Sequence, residues 1–185
     1  MEPDLVQLAC RGDEAAYQSI VEHNQEAVFR LAYLILGDAD DAQDVAQETF
    51  IRALRSLHRF DSSRPLRPWL LRITANLARN RRRALGRYWK ALRRFAGQVP
   101  EGADVEAQSA QQAEAVELWR AIRHLKRPEQ EVIYLRYFLE LSTEEVADAL
   151  NTPPGTVKSR LHRALKKLQG VIERDFPHLQ EGRAA

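Results

Sequence analysis

The chain has 185 residues, 44% of them hydrophobic, with 28 Lys and Arg against 26 Asp and Glu, a formal net charge of +2 and one cysteine. That length and apolar content allow one modest core or two small ones, and a single cysteine excludes an intramolecular disulfide framework. No run is long and apolar enough to span a bilayer, and no basic segment followed by a hydrophobic one opens the chain, so membrane-spanning and secreted classes are excluded and the cytoplasm is the expected compartment.

The small net charge hides a marked asymmetry. Residues 1 to 50 carry 11 acidic and 2 basic residues, whereas Arg72 to Arg94 carry 9 basic residues and no acidic one. The two parts are suited to different partners. Cys10, with no His or Cys cluster beside it in sequence, reads as buried filler.

In chain order, a first helix is expected over about residues 4 to 11, stopped by Gly12. Asp13 then caps a long helix whose apolar positions Ala16, Tyr17, Ile20, Val21, Val28, Leu31, Ala32 and Ile35 recur at helical spacing before Gly37. Asp40 with Gln43 predicts a capping box that opens the next helix, running to about Leu57 with Ala42, Val45, Ala46, Phe50, Ala53, Leu54 and Leu57 inward. Its outer face carries Asp41, Asp44, Gln47, Glu48, Arg52 and Arg55. After an irregular segment, residues 69 to 84 form a helix that buries Trp69, Leu70, Ile73, Leu77 and Ala78 and ends in a run of arginines. Residues 86 to 111 change from aromatic and basic to Gly-, Pro- and acid-rich, the composition of a flexible linker. Helices near 112 to 125 and 128 to 139 follow.

The segment from Ser142 to Leu168 is the most specific on the chain. Ser142 and Glu145 form a capping box, Val146, Ala149 and Leu150 an apolar stripe, and Asn151 a turn that tolerates left-handed backbone. Thr152 and Pro153 read as N-cap and first position of a second helix. There Val157, Leu161, Leu165 and Leu168 form the packing line, and the remaining surface is cationic. No Asp or Glu occurs from Leu150 through Ile172, so these cations lack local partners and favour phosphate. Helix, turn and basic helix in this order predict a helix-turn-helix DNA reader.

Four segments in order, DAQDVAQETFIRAL, RPWLLRITANLARN, EVIYLRYFLELSTEEVADAL and GTVKSRLHRAL, resemble those of bacterial RNA polymerase sigma factors. The resemblance is to the small extracytoplasmic-function (ECF) group of the sigma-70 family, which has only the second and fourth conserved regions, and it spans nearly the whole chain. It implies an all-α protein of two small helical domains joined by a flexible linker, the second a winged-helix-like but wingless helix-turn-helix domain. The implied divisions are residues 1–85 for region 2, 86–111 for the linker, 112–176 for region 4 and 177–185 for a tail. The implied function is to bind core RNA polymerase, at its β′ clamp helices and β flap, and to direct promoter recognition and transcription initiation. An anti-sigma partner is also implied, with no catalysis, cofactor, metal or small-molecule substrate.

By the same resemblance, Asp44, Gln47 and Glu48 dock on core polymerase. Phe60, Asp61, Ser62, Ser63 and Arg64 match the loop that receives a flipped base of the minus-10 element, and Trp69, Arg72 and Asn76 match the adjoining helix, although Trp69 spaced with Leu70 and Ile73 reads as core. Arg79, Arg81, Arg82 and Arg83 read as backbone contacts. Thr156, Lys158, Ser159, Arg160, His162 and Arg163 enter the major groove of the minus-35 element, with Lys166 and Lys167 on phosphates. The acidic part of the linker is suited to mimic nucleic acid near the polymerase cleft.

Two departures from the family pattern stand out. The Leu-Pro that usually opens the fourth region is Leu125-Lys126-Arg127-Pro128 here, and Asn151 stands where many members have glycine. Two other classes fit parts of the chain. A dimeric helix-turn-helix regulator independent of polymerase explains the C-terminal half alone. A magnesium-dependent hydrolase would use Asp40, Asp41, Asp44 and Glu48, with Glu22 and Glu26 as a thin second set of ligands.

Overall fold

The computed structural model describes residues 2–96 and 110–181, with side chains over 4–87 and 114–179. Every regular element among the described residues is helical: α1 (Glu2–Cys10), α2 (Glu14–Leu36), α3 (Ala39–Ser56), α4 (Leu66–Ala96), α5 (Ala110–Arg123), α6 (Arg127–Ile133), α7 (Thr143–Leu150), α8 (Pro154–Asp175) and α9 (His178–Glu181).

The N-terminal unit forms where three amphipathic helices bury their stripes on one another. Asp13 caps α2 by accepting from the Ala16 amide at 2.9 Å. Gly37 ends it in the left-handed region at φ 77°, its amide donating to the Tyr33 carbonyl. The cap of α3 is Asp38, which accepts from the Asp41 amide at 2.8 Å, two residues before the expected Asp40. The tight turn after Gly37 leaves Asp38 extended, and extended backbone is what an N-cap needs. Val28, Leu31, Ala32, Ala42, Ala53, Leu70, Leu71 and Ala78 form the dry centre. Thr49 and Thr74, both fully buried, meet there at 3.4 Å, each hydroxyl also donating to the carbonyl four residues back. The Tyr17 hydroxyl donates to the Phe50 carbonyl and ties α2 to α3. Leu54, expected inward, is 48% exposed, because the close α3–α4 packing uses the small side chains beside it. Cys10 is exposed rather than buried.

Helix α4 departs most from expectation. It starts at Leu66, runs through Gly86 and ends at Ala96, so the expected break after residue 85 falls inside a continuous helix. One interior glycine costs only about 1 kcal/mol against alanine, and the flanking Ala84, Leu85, Arg87, Lys90, Ala91 and Leu92 are good helix formers. Residues 97–109 of the expected linker, with their proposed acidic mimicry, lie outside the described residues.

In the C-terminal unit α6 begins at Arg127, with Pro128 in its first turn and the Glu129 carboxylate returning to the Lys126 amide at 3.0 Å. The shifted proline is therefore absorbed without loss of the helix start. The helix widens into a π-turn over Tyr134–Phe138, closed by Leu139 N–H donating to the Tyr134 carbonyl. Trp119 of α5 packs against Tyr134 and Phe138 at 5.3 and 5.4 Å, and burial pushes the Tyr134 phenol up to about 12. The Ser142–Glu145 capping box forms in full, and Asn151 takes φ 51°, ψ 51°. Thr152 does not cap the next helix: its hydroxyl turns back to the Leu150 carbonyl, and α8 starts at Pro154. The packing line of α8 is Val157, Leu161, Ala164 and Leu168, with Leu165 38% exposed. The expected tail begins with α9, where His178 pairs with Glu117 of α5.

Lys167 of α8 pairs with Glu129 of α6, fastening the helix-turn-helix to its supporting helix. The Lys167 hydrogen bond holds the Glu129 carboxyl below its ordinary value. A depressed carboxyl contributes stability that is complete above the unfolded value, about 4.3, and is lost as pH falls through the folded one. Glu129→Gln is expected to lower the urea midpoint at pH 7 and to flatten its dependence on pH below about 4.5. An acid limb as steep as the parent's would rule out this pair as a source of it.

Candidate nucleic-acid interface

Three surfaces carry the candidate residues. On α3, Asp44, Gln47 and Glu48 lie on the outer side, Asp44 and Gln47 exposed and Glu48 half-exposed. Glu48 pairs with Arg52 at 2.6 Å. Arg81 of α4 reaches Asp41 at 2.6 Å and Asp44 at 3.5 Å, so a guanidinium stands where a magnesium ion would need to sit. Among the described residues no group of three or more His, Cys, Asp or Glu could hold a metal. Beyond Glu48, the same stripe continues into Ile51 and Leu54, both nearly half exposed. Sequence reasoning missed this apolar extension. The signal was available for Ile51, which lies four and three residues after Gln47 and Glu48.

The second surface is the loop between α3 and α4. A 3-10 turn at Leu57–Arg59 delivers Phe60, and Asp61 then folds an Asx turn, accepting from the Ser63 amide at 3.0 Å and its hydroxyl at 2.7 Å. These bonds from Ser63 hold the Asp61 carboxyl below its ordinary value. The Phe60 ring lies 5.0 Å from Trp69, tilted by 48°. Together with Asp61, Arg64 and Arg72 they line a cavity of about 330 Å3. Trp69, read from sequence as core, is half-buried and forms a wall of this cavity; its spacing with Leu70 hid that role. An aromatic wall beside two arginines suits a flat, anionic nucleotide. Ser62 is exposed on the same loop.

In this structure the other half of the chain borders the cavity. Asp148 of α7 lines it and pairs with Arg64 at 3.4 Å, while Arg72 donates to the Asn151 side chain at 3.4 Å. Farther along α4, Arg79 donates to Asn76 at 3.0 Å and pairs with buried Glu131 of α6 at 3.1 Å. Arg82 donates to the Ile35 carbonyl at 3.1 Å and lies 4.0 Å from Glu131. Arg83 turns outward to Asn80 at 2.5 Å. Of the four arginines read as backbone contacts, Arg79, Arg81 and Arg82 are thus engaged internally.

The third surface is α8. Lys158, Ser159, His162, Arg163 and Lys166 are exposed on it, and Thr156 and Arg160 are half-buried. The Ser159 hydroxyl donates to the Thr156 carbonyl at 3.1 Å, and Arg163 to the Ser159 carbonyl at 3.2 Å. Lys167 faces the other way, onto Glu129. A helix with one packed line and a cationic outer face, set on a capped turn, has the form that enters a major groove.

A cavity suited to a base and a helix suited to a groove, on one all-helical chain, define a DNA-directed protein with two reading surfaces. Family models for sigma-70 region 2 and sigma-70 region 4 match residues 20–88 and 115–168. The chain belongs to the sigma-70 family of RNA polymerase sigma factors, in its ECF group. It is 36% identical to the ECF RNA polymerase sigma factor SigW of Bacillus subtilis, covering 86% of this chain and 90% of that one. It is 30% identical to the RNA polymerase sigma-H factor of Pseudomonas aeruginosa, covering 93% and 94%. Among solved structures, CnrH in complex with the cytosolic domain of CnrY matches with a TM-score of 0.71 and 27% identity, over 94% of this chain and 98% of that one.

The contacts between the halves differ in weight. Glu131 is 6% exposed and faces two half-buried arginines, whereas the Arg64–Asp148 pair lies in water. Glu131→Gln is expected to destabilise the chain by about 2 kcal/mol by leaving charged donors short of an acceptor. Asp148→Asn is expected to change stability by less than about 0.5 kcal/mol. Urea unfolding of both variants at pH 7 checks the contrast; equal effects would contradict it.

Proposed function

We propose that this chain is a non-enzymatic specificity subunit that binds core RNA polymerase in the cytoplasm, reads the two promoter elements and helps start strand opening. The observation that carries the reading is the presence, in order on one chain, of a region 2 match with a base-sized aromatic cavity and a region 4 match with a basic helix-turn-helix. The proposed division is a region 2 domain over residues 1–85, a connection over 86–111 whose first part continues α4, a region 4 domain over 112–176 and a tail over 177–185. Catalysis belongs to the polymerase.

Asp44, Gln47 and Glu48 dock on the basic β′ clamp helices, where opposite charge sets orientation and apolar Ile51 and Leu54 add contact area. The loop from Phe60 to Arg64, with Trp69, Arg72 and Asn76, takes a flipped base of the minus-10 element. Flipping costs a few kcal/mol, which stacking on Trp69 and phosphate contacts to Arg72 offset. Arg79, Arg82 and Arg83 hold the backbone. On α8, Arg160 and Arg163 read base edges along with Lys158, Ser159 and His162, while Thr156 and Lys166 fix register on phosphates.

The closed arrangement covers part of this equipment. Arg64 and Arg72 face Asp148 and Asn151, so promoter engagement requires the halves to separate. The likeness to CnrH, solved in complex with the cytosolic domain of CnrY, supports a protein partner for this chain, an anti-sigma factor. A dimeric regulator independent of polymerase leaves the region 2 match and the acidic stripe of α3 unexplained.

Promoter-dependent run-off transcription with bacterial core polymerase tests the reading. Transcripts that start at shared sites only when the chain is added are expected; duplex binding without transcripts would favour the dimeric regulator. Lys166→Ala is expected to weaken promoter binding uniformly and reduce the slope of log K on log salt by about 0.9. Asp148→Ala, which removes the partner of Arg64 on the other half and leaves its local pair with Asp61 at 3.6 Å, is expected to raise promoter affinity in gel-shift titration, and a loss of affinity would count against the closed-state argument.

A further inference from the structure

We propose that the arginine-lined cavity between α4 and the α6–α8 face is a binding site for a compact phosphate-class polyanion, such as pyrophosphate or the diphosphate of a nucleotide. The cavity holds about 450 Å3 and is lined by Arg79, Arg82 and Arg83 of α4, Arg127 and Glu131 of α6, and Arg160 of α8. Five arginines therefore line a cavity that has one carboxylate, Arg83 at the rim with its guanidinium on Asn80. Glu131 answers Arg79 at 3.1 Å and Arg82 only at 4.0 Å. Among the described residues, the side chains of Arg127 and Arg160 have no hydrogen-bond or ion-pair partner.

Arg82 shows the imbalance most clearly. Its Nε is buried without an acceptor, and its side chain is only 19% exposed. Burial, and after it the charge of Arg127, pushes the guanidinium below its ordinary value. Several cations without a counter-charge around a void are a condition that an oxyanion relieves. Planar guanidiniums bind phosphate oxygens in pairs, and a diphosphate supplies enough acceptors to engage several at once. A single carboxylate supplies too few. The bound anion would span α4 on one side and α6 and α8 on the other, and so hold the two halves together.

The regulatory consequence rests on the sigma-factor reading; the binding site does not. Arg79, Arg82, Arg83 and Arg160 serve promoter DNA in that reading, so the anion and the promoter compete for them. A cell rich in the anion would keep the chain closed.

Isothermal titration of the full chain with inorganic pyrophosphate, and separately with guanosine diphosphate, tests the site without DNA or polymerase, at ionic strength held constant with sodium chloride. Saturable binding of one anion per chain is expected for at least one of the two, and the tighter binder identifies whether the source is inorganic or nucleotide. Arg127→Gln is expected to weaken binding at least tenfold, whereas Arg11→Gln, remote from the cavity, leaves it unchanged. Arg127 is exposed and repels Arg82, so Arg127→Gln is also expected to melt no lower than the parent without ligand. Absence of saturable heat with both probes, or equal weakening by the two substitutions, would overturn the proposal whatever the transcription assay gives.

Discussion

The closed structure depends on the way one buried carboxylate, Glu131, is placed among the arginines of α4. Helix α4 presents a dense row of arginines, and like charges so close together repel one another. Glu131 answers Arg79 directly and Arg82 at longer range, and the Ile35 carbonyl takes one more donor. Hydrogen bonds from both halves offset part of the cost of burying these charges, and Arg82 Nε is left without an acceptor, so the two halves are joined through an incompletely neutralised cluster.

The same arrangement explains why the two ends of α4 behave differently. Near its start, Arg64 and Arg72 make long, exposed contacts with Asp148 and Asn151, which water and salt compete with readily. In its middle, Arg79 and Arg82 are half-buried. Opening is therefore easiest at the base-sized cavity and hardest at the arginine cavity. Arg81, on a different side of the helix, turns to Asp41 and Asp44 of α3 and ties the acidic stripe of α3 to α4 within one unit.

Several local features were legible before any coordinates. The capping box at Ser142, the left-handed Asn151 and the Asp13 cap each depend on residues within four positions of one another, and each formed as read. The failures were also physical. Asp38 rather than Asp40 caps α3, because the turn after Gly37 decides which residue is extended. Thr152 turned back to Leu150 and left Pro153 ahead of α8. Gly86 did not break α4, since its neighbours favour helix. Leu54 and Leu165 fell off the buried lines because small side chains at the helix crossings, Ala53 and Ala164, set the closest approach.

By itself the sequence determined the helical class, the separation of acidic and basic surfaces, the helix-turn-helix and the resemblance to sigma factors, because periodicity, capping and motif order are encoded over short spans. Only the tertiary structure decided which arginines are exposed and which are paired. It also put Trp69 on a cavity wall, left Leu54 exposed beside the acidic stripe of α3, and brought Arg127 and Arg160 beside Arg79, Arg82 and Arg83. Those outcomes depend on contacts between side chains dozens of residues apart, and no local pattern in the chain specifies which distant charge a guanidinium will meet.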